Sequence, residues 1–218
     1  MRSSNLKECL IVCNGKIFTK DLKELFSKIK PRRAITIIAC DGASDFLYRN
    51  KITPDFIIGD MDSISPKVLN YFRKKNVVIK KIVNQNQNDL EKAIKFALSK
   101  KIKNISIIGF AGKRLDHTLN NLSIIKKFFR KARIQIYENG FTGELISRSA
   151  EFACGVGSIV SLIPMPKAVG VTTKGLKYPL KSSTLEFGVR EGALNEAVGN
   201  LFSVKIKSGL LMVLIGYA

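Results

Sequence analysis

The chain has 218 residues, 45% of them hydrophobic, enough for one large or two small domains with a buried core. Its 37 Lys and Arg against 17 Asp and Glu give a net charge of +20 at pH 7. This composition excludes wholesale disorder, and no apolar window approaches the roughly 18 residues of a membrane span.

Residues 9–13 form a short apolar run that ends in Asn14-Gly15, a buried strand and a turn. Residues 21–29 have helical apolar spacing, stopped by Pro31. The β-branched run 34–40 predicts a strand leading into Asp41-Gly42-Ala43, and 44–50 a short helix. A third strand, 55–59, runs into Asp60-Met61-Asp62-Ser63. Pro66 opens a helix over 66–75. A strand over 77–83 precedes the polar stretch 84–88, and 89–100 reads as an amphipathic helix. Strand 105–109, helix 115–131 and strand 134–137 complete the alternation. Nearly continuous apolar strands alternating with helices predict a mainly parallel sheet covered on both faces. Beyond about residue 141, short alternating segments with frequent Gly and Pro predict an all-β unit, read as a sandwich. The expected organisation is an α/β domain over 1–140 and a β-sandwich domain over 141–218.

The charge is uneven. Residues 1–140 hold 29 basic and 12 acidic residues, whereas 141–218 hold 8 and 5. The lysines are scattered over predicted helix faces and turns, with no arginine-rich tail and no aromatic-interleaved stripe. They read as a solvated surface whose field would also suit a small polyanion such as a nucleotide. No nucleic-acid or membrane partner is expected. The four cysteines have neither zinc-ribbon nor disulfide spacing, and read as small buried residues of a reducing compartment. The short apolar run near the start is no signal segment, so a cytoplasmic location is expected.

Four polar clusters follow predicted strands, at the sheet edge where such folds bind ligands. Asp60 and Asp62, at i and i+2 of an extended loop, suit Mg²⁺, which takes one or two carboxylates plus substrate phosphates; a solvated Asx turn is the alternative. Asp41-Gly42 is either a ligand position or a plain capping turn. Asp89 is a third carboxylate for metal or a dipole-compensating first-turn residue, and Gln85 and Asn88 suit a base or sugar. In 109–117, glycines precede Lys113-Arg114 and a helix start, which can cradle phosphates. His117, the one histidine, reads as packed or hydrogen-bonded rather than as a general base. Together the clusters suit metal-assisted transfer at a phosphate group.

These residues resemble the thiamine pyrophosphokinase family. The likeness runs through 40–43, then Pro54-Asp55-Phe56-Ile57-Ile58-Gly59-Asp60-Met61-Asp62-Ser63, the stretch 85–93, Arg114-Leu115-Asp116-His117, and, in the second half, Thr172-Thr173-Lys174-Gly175-Leu176-Lys177-Tyr178-Pro179-Leu180. The resemblance implies an α/β catalytic domain, a β-sandwich and a homodimer. It implies Mg²⁺-dependent transfer of pyrophosphate from ATP, the co-substrate, to the hydroxyethyl group of thiamine, giving thiamine diphosphate and AMP. By motif position, Asp41, Asp60, Asp62 and Asp89 would hold the metal. Asp60, Asp62 and Arg114 would be catalytic. Asn14, Gly42, Gln85, Asn88, Gly112, Lys113, Arg114 and Asp116 would bind nucleotide and phosphates, and Thr172, Thr173, Leu194 and Asn195 thiamine. The chain departs from the family pattern at Ala43, Lys113, Asn88 and Leu194, where Gly, Gly, Thr and Ser are usual. Two rival expectations are a related pyrophosphokinase acting on a hydroxymethylpterin and a basic nucleic-acid-binding protein.

Overall fold

The apolar runs of the first half become strands β1 (Glu8–Val12), β2 (Ile35–Cys40), β3 (Phe56–Gly59), β4 (Val78–Lys81), β5 (Asn104–Ile108) and β6 (Arg133–Glu138). Every pairing among them is parallel, in the order β4-β3-β2-β1-β5-β6. The computed structural model describes residues 8–28 and 35–217. Ile29, Pro31 and Ala34, which bound the predicted first helix and second strand, lie outside those residues. The chain divides into two compact units, Met1–Asn139 and Gly140–Ala218.

Helices α1 (Thr19–Lys28), α2 (Ala43–Arg49), α3 (Pro66–Lys74), α4 (Asp89–Ser99) and α5 (Leu115–Phe128) connect the strands of the first unit. One strand face carries Leu10, Val12, Ile37, Ala39 and Ile57, packed with Leu25, Leu47, Val68 and Phe72 of α1, α2 and α3. Alternate residues Ile11, Ile38 and Ile58 are fully buried on the opposite face, where α4 packs on β1, β2 and β3. α3 begins at Pro66, whose missing N–H is no loss in a first turn. α4 begins at Asn88, whose Oδ1 accepts the Glu91 N–H at 3.0 Å.

The order in which strands are added reverses at β1, which has β2 on one side and β5 on the other. Parallel sheets open a crevice at such a switch, outside the carboxyl ends of the strands. Those ends are Cys13-Asn14-Gly15 after β1 and Gly109-Phe110-Ala111 after β5. They are stitched together by Cys13 N–H to Ile108 O (2.9 Å), Gly15 N–H to Gly109 O (2.7 Å) and Lys16 N–H to Ala111 O (2.8 Å). A Cβ on Gly15 would lie 2.2 Å from both the Gly109 and Ala111 oxygens, so only glycine fits.

Glu138, at the end of β6, accepts the Ala111 N–H at 3.2 Å. Burial pushes its carboxyl up to about 7, and nearby Asp21 adds to the rise. A folded value above the ordinary 4.5 means the native state holds the extra proton, so this group costs stability as pH climbs from about 4.5 through about 7. Glu138→Gln keeps an acceptor for Ala111 and removes the charge. Its Tm should match wild type near pH 4.5 and exceed it by about 2–4 °C at pH 8, after discount for partial exposure. A pH-independent Tm difference in thermal melts contradicts this.

The second unit is β-rich. It contains β7 (Phe141–Ile146), β8 (Ala150–Ala153), β9 (Ile159–Lys174), β10 (Ser183–Glu186), β11 (Gly192–Glu196), β12 (Leu201–Lys205) and β13 (Ser208–Gly216). β9 pairs with β13, β10 and β11 along most of its length and with β12 at Thr172–Lys174; β12 also pairs with β8, and β13 with β7. Val160, Leu162, Val171, Leu185, Phe202, Leu211 and Val213 form its core. Sequence periodicity predicts separate strands over 158–163 and 169–173, where the 16-residue β9 is continuous through Pro164 and Pro166. β8 and β11 escape it altogether.

Candidate active site

Asp41 follows β2 with φ +24°, a strained setting for a non-glycine residue. The turn buries its carboxylate and aims it across the β3 loop. There Oδ2 accepts the Ser63 N–H at 3.0 Å and Oδ1 the Ile64 N–H at 3.1 Å. Asp60 and Asp62 stand on that loop. Carboxylate oxygens of Asp41, Asp60 and Asp62 lie within 4.8 Å of one another, the one such acidic or thiol cluster found among the described residues. Asp89 adjoins them: a Cβ on Gly59 would lie 2.7 Å from Asp41 Cβ and 3.3 Å from Asp89 Cγ. Glycine at 59 is what lets the carboxylates of β2 and α4 approach.

Crowding sets their electrostatics. Burial pushes Asp41 up to about 6; the Ser63 and Ile64 N–H groups oppose the rise, and Asp62 and Asp89 reinforce it. Burial also raises Asp89, against the pull of Lys92, whose Nζ lies 3.0 Å from its Oδ1. Asp62 is exposed and held below the usual carboxylate range, first by the Ser63 hydroxyl and then by hydrogen bonding with Asp41 and Asp60. Such a set is short of positive charge. The donors are all hard oxygens, and an octahedral Mg²⁺ with bonds of about 2.1 Å needs oxygens about 3.0–4.2 Å apart, close to the spacing seen. The residues therefore fit a small divalent cation.

The cluster opens into a cleft of about 480 Å³ in the first unit. Asn14, Asp60, Asp62, Gln85, Asn88, Asp89, Lys113 and Arg114 line it. Lys113 Nζ donates to Asn14 Oδ1 at 2.7 Å across the β1 and β5 loops. Arg114 Nε donates to Asp116 Oδ1 at 3.0 Å and Nη2 to Oδ2, so Asp116 aims the guanidinium. Neither Asp116 nor Gly112 lines the cleft itself. Gly42 sits behind it, where a Cβ would lie 2.3 Å from Asn14 Nδ2.

Sequence reasoning missed Lys92, Ser63, Thr118 and Asn121, all lining the cleft. Lys92 had a usable signal, a lysine one helical turn after Asp89. His117 also lines the cleft and is exposed, so the expectation of a packed side chain is corrected; it stands on an outward turn of α5. Of the cysteines, Cys9, Cys13 and Cys40 are buried and Cys154 is half-buried; all are free.

The remaining predicted residues lie in the second unit around loop 175–182. Thr173 Oγ1 accepts the Leu180 N–H at 2.8 Å and Thr172 Oγ1 the Ser182 N–H at 3.0 Å. Asn195 grips Tyr178 with both ends of its amide: Oδ1 accepts its N–H at 3.1 Å and Nδ2 donates to its carbonyl at 2.7 Å. Leu194 is 77% exposed with φ +58°, strained for a leucine, and its N–H donates to Ser161 Oγ at 3.1 Å.

Comparison with known proteins agrees with this layout. Residues 30–137 match the thiamin pyrophosphokinase catalytic domain, and residues 146–211 the thiamin pyrophosphokinase vitamin B1 binding domain. Thiamin pyrophosphokinase 1 of Caenorhabditis elegans is 26% identical, covering 93% of this chain and 88% of that protein. Thiamine pyrophosphokinase 2 of Arabidopsis thaliana is 28% identical over 76% of this chain and 67% of its own. Among solved structures, thiamine pyrophosphokinase from Bacillus subtilis superposes with a TM-score of 0.84 at 22% identity, covering 96% of this chain and 99% of that one. Two domain matches, over residues 30–137 and 146–211, together span most of the chain and place it in the thiamin pyrophosphokinase family.

Proposed function

We propose that the protein transfers the terminal pyrophosphoryl group of ATP to the hydroxyl of thiamine, giving thiamine diphosphate and AMP. The observation that carries this reading is the convergence of Asp60, Asp62 and Asp89 beside Lys113 and Arg114 in one cleft, with the buried Asp41 carboxylate against those of Asp60 and Asp62 behind it. The four aspartates would hold Mg²⁺. Held there, the cation would supply positive charge that offsets the repulsion between triphosphate and alcohol. Lys113 and Arg114 present ammonium and guanidinium groups to the transferred phosphates. Asn14, Gln85 and Asn88 offer neutral hydrogen bonds to nucleotide. Asp60 and Asp62 orient the alcohol for attack on the β-phosphorus: the new O–P bond forms as the bond from the β-phosphorus to the oxygen bridging it to the α-phosphate breaks, AMP leaves with that oxygen, and the hydroxyl proton is released to solvent.

Thiamine is assigned to the second unit, against Thr172, Thr173, Leu194 and Asn195, on the strength of the vitamin B1 binding domain match over 146–211. We read that unit as a sandwich and as the dimerisation domain of a homodimer, and residues 1–140 as the catalytic domain. Tyr178, Phe187, Val189, Leu194, Val198 and Leu201 are exposed apolar side chains of this unit, surface that a second copy would bury. No helix among the described residues is long and apolar enough to cross a membrane. A cytoplasmic location remains part of the proposal.

The deciding experiment measures AMP release from Mg-ATP with thiamine, a hydroxymethylpterin and other alcohols. Thiamine-dependent AMP release in step with thiamine diphosphate supports the reading. Release driven by the pterin instead overturns the acceptor, and release with no acceptor preference overturns the transferase. A second expectation concerns Leu194, which cannot hydrogen-bond a pyrimidine. Leu194→Ser should lower the thiamine KM about tenfold, the order of one hydrogen bond to a polar group. An unchanged KM would mean the pocket lies elsewhere.

A further inference from the structure

Asn121 is a buried asparagine in the interior of α5, 8% exposed, and sequence reasoning gave it no role. Asparagine is a poor helix former, and a buried amide costs stability unless its polar atoms are bonded. A leucine of similar size would suit an interhelical position better on both counts. Yet both ends of this amide are used, and each bond leaves the helix for a different wall of the cleft.

Asn121 Nδ2 donates to the Phe110 carbonyl at 2.7 Å, in the loop after β5 that carries Lys113 and Arg114. Its Oδ1 accepts from Asn88 Nδ2, also at 2.7 Å. Asn88 is in turn committed to α4, its Oδ1 capping the Glu91 N–H beside Asp89. One side chain therefore joins the loop that offers cations to phosphate and the helix start that offers a carboxylate. The far side of that loop is already tied, by Ala111 to Glu138 and by Lys16 to Ala111.

We propose that Asn121 is a positioning residue that fixes the spacing between the cation-bearing loop 109–114 and the Asp89 end of α4, and so the fit of the cleft to a triphosphate. The kinetic part rests on the reading of ATP as co-substrate; the structural link does not. Asn121 acts through Phe110 and Asn88, and a preformed cleft avoids the ordering that a loose one would need at the moment of reaction.

The test is a double-mutant cycle in the full-length protein. Asn121→Leu keeps the volume and removes both bonds. Asn88→Ser keeps a capping oxygen for Glu91 and removes the amide that donates to Asn121, together with that amide's hydrogen bond to nucleotide. Each single variant should lose about 10–100-fold in kcat/KM for ATP, the range for groups that orient ligands. The thiamine KM should hold within about twofold, a split that general loss of folded protein would not produce. Since the two changes cut one link, the double variant should be no worse than about the poorer single. Asn121→Asp keeps the acceptor for Asn88 but sets a carboxylate against the Phe110 carbonyl, so it should retain the Glu91 cap and lose the loop.

A second measurement needs no substrate. Amide hydrogen exchange at Ala111 and Glu91 should quicken in Asn121→Leu, and at Ala111 alone in Asn121→Asp. Unchanged exchange overturns the link even if wild type proves inactive with ATP and thiamine. Quickened exchange with unchanged kcat/KM, or losses that multiply in the double variant, overturns the positioning role.

Discussion

Asp60→Asn and Asp62→Asn should each abolish metal-dependent turnover, by about 10³-fold, while leaving the fold intact. The two carboxylates stand on a loop rather than in the core, and Asp62 meets the Ser63 hydroxyl and the neighbouring carboxyls. Asparagine keeps the shape and removes the charge. With three carboxylates left around the site, cation affinity falls and so does the charge neutralisation the triphosphate needs. The folded state should gain, if anything, because the cluster is crowded with like charge and two of its members are already pushed up by burial. Turnover assays across a magnesium series, paired with thermal melts, check both halves. Wild-type turnover in either variant would remove these aspartates from the metal site.

The second large effect belongs to Arg114. Its side chain is exposed, and it pairs with Asp116, itself exposed, so neither contributes much to stability. Its value lies in a fork aimed at phosphate. Arg114→Ala should lower kcat by about 10³-fold, the lower range for an arginine facing a transferred phosphoryl group. Asp116→Ala should lower it only about tenfold, since the guanidinium remains and loses just its orientation. Arg114→Lys should fall between, because an ammonium supplies charge without the fork. Equal losses at 114 and 116 would mean that Asp116 itself meets the substrate.

The first unit was legible in the sequence because its strands are buried on both faces. Runs such as Ile57-Ile58 and Ile107-Ile108 leave no alternative, and the polar clusters that follow them mark the carboxyl edge. The acidic set was legible for the same reason, since Asp41, Asp60 and Asp62 each sit at or just past a strand end. The β unit was less so. β9 runs through two prolines, and β11 alternates weakly because Leu194 points outward where the period expects burial. Nor could spacing reveal that Asn88, Asn121 and Phe110 meet: they come from three elements, and only the packing of α4 on α5 brings them together.

The most direct test of the whole account is a crystal structure with Mn²⁺ and a non-hydrolysable ATP analogue, read by anomalous scattering. One manganese peak should lie among Asp41, Asp60, Asp62 and Asp89, bonded to their oxygens and to the phosphate tail, with Lys113 and Arg114 on the same phosphates. A nucleotide bound with its phosphates elsewhere, or manganese absent from the four aspartates, would contradict it.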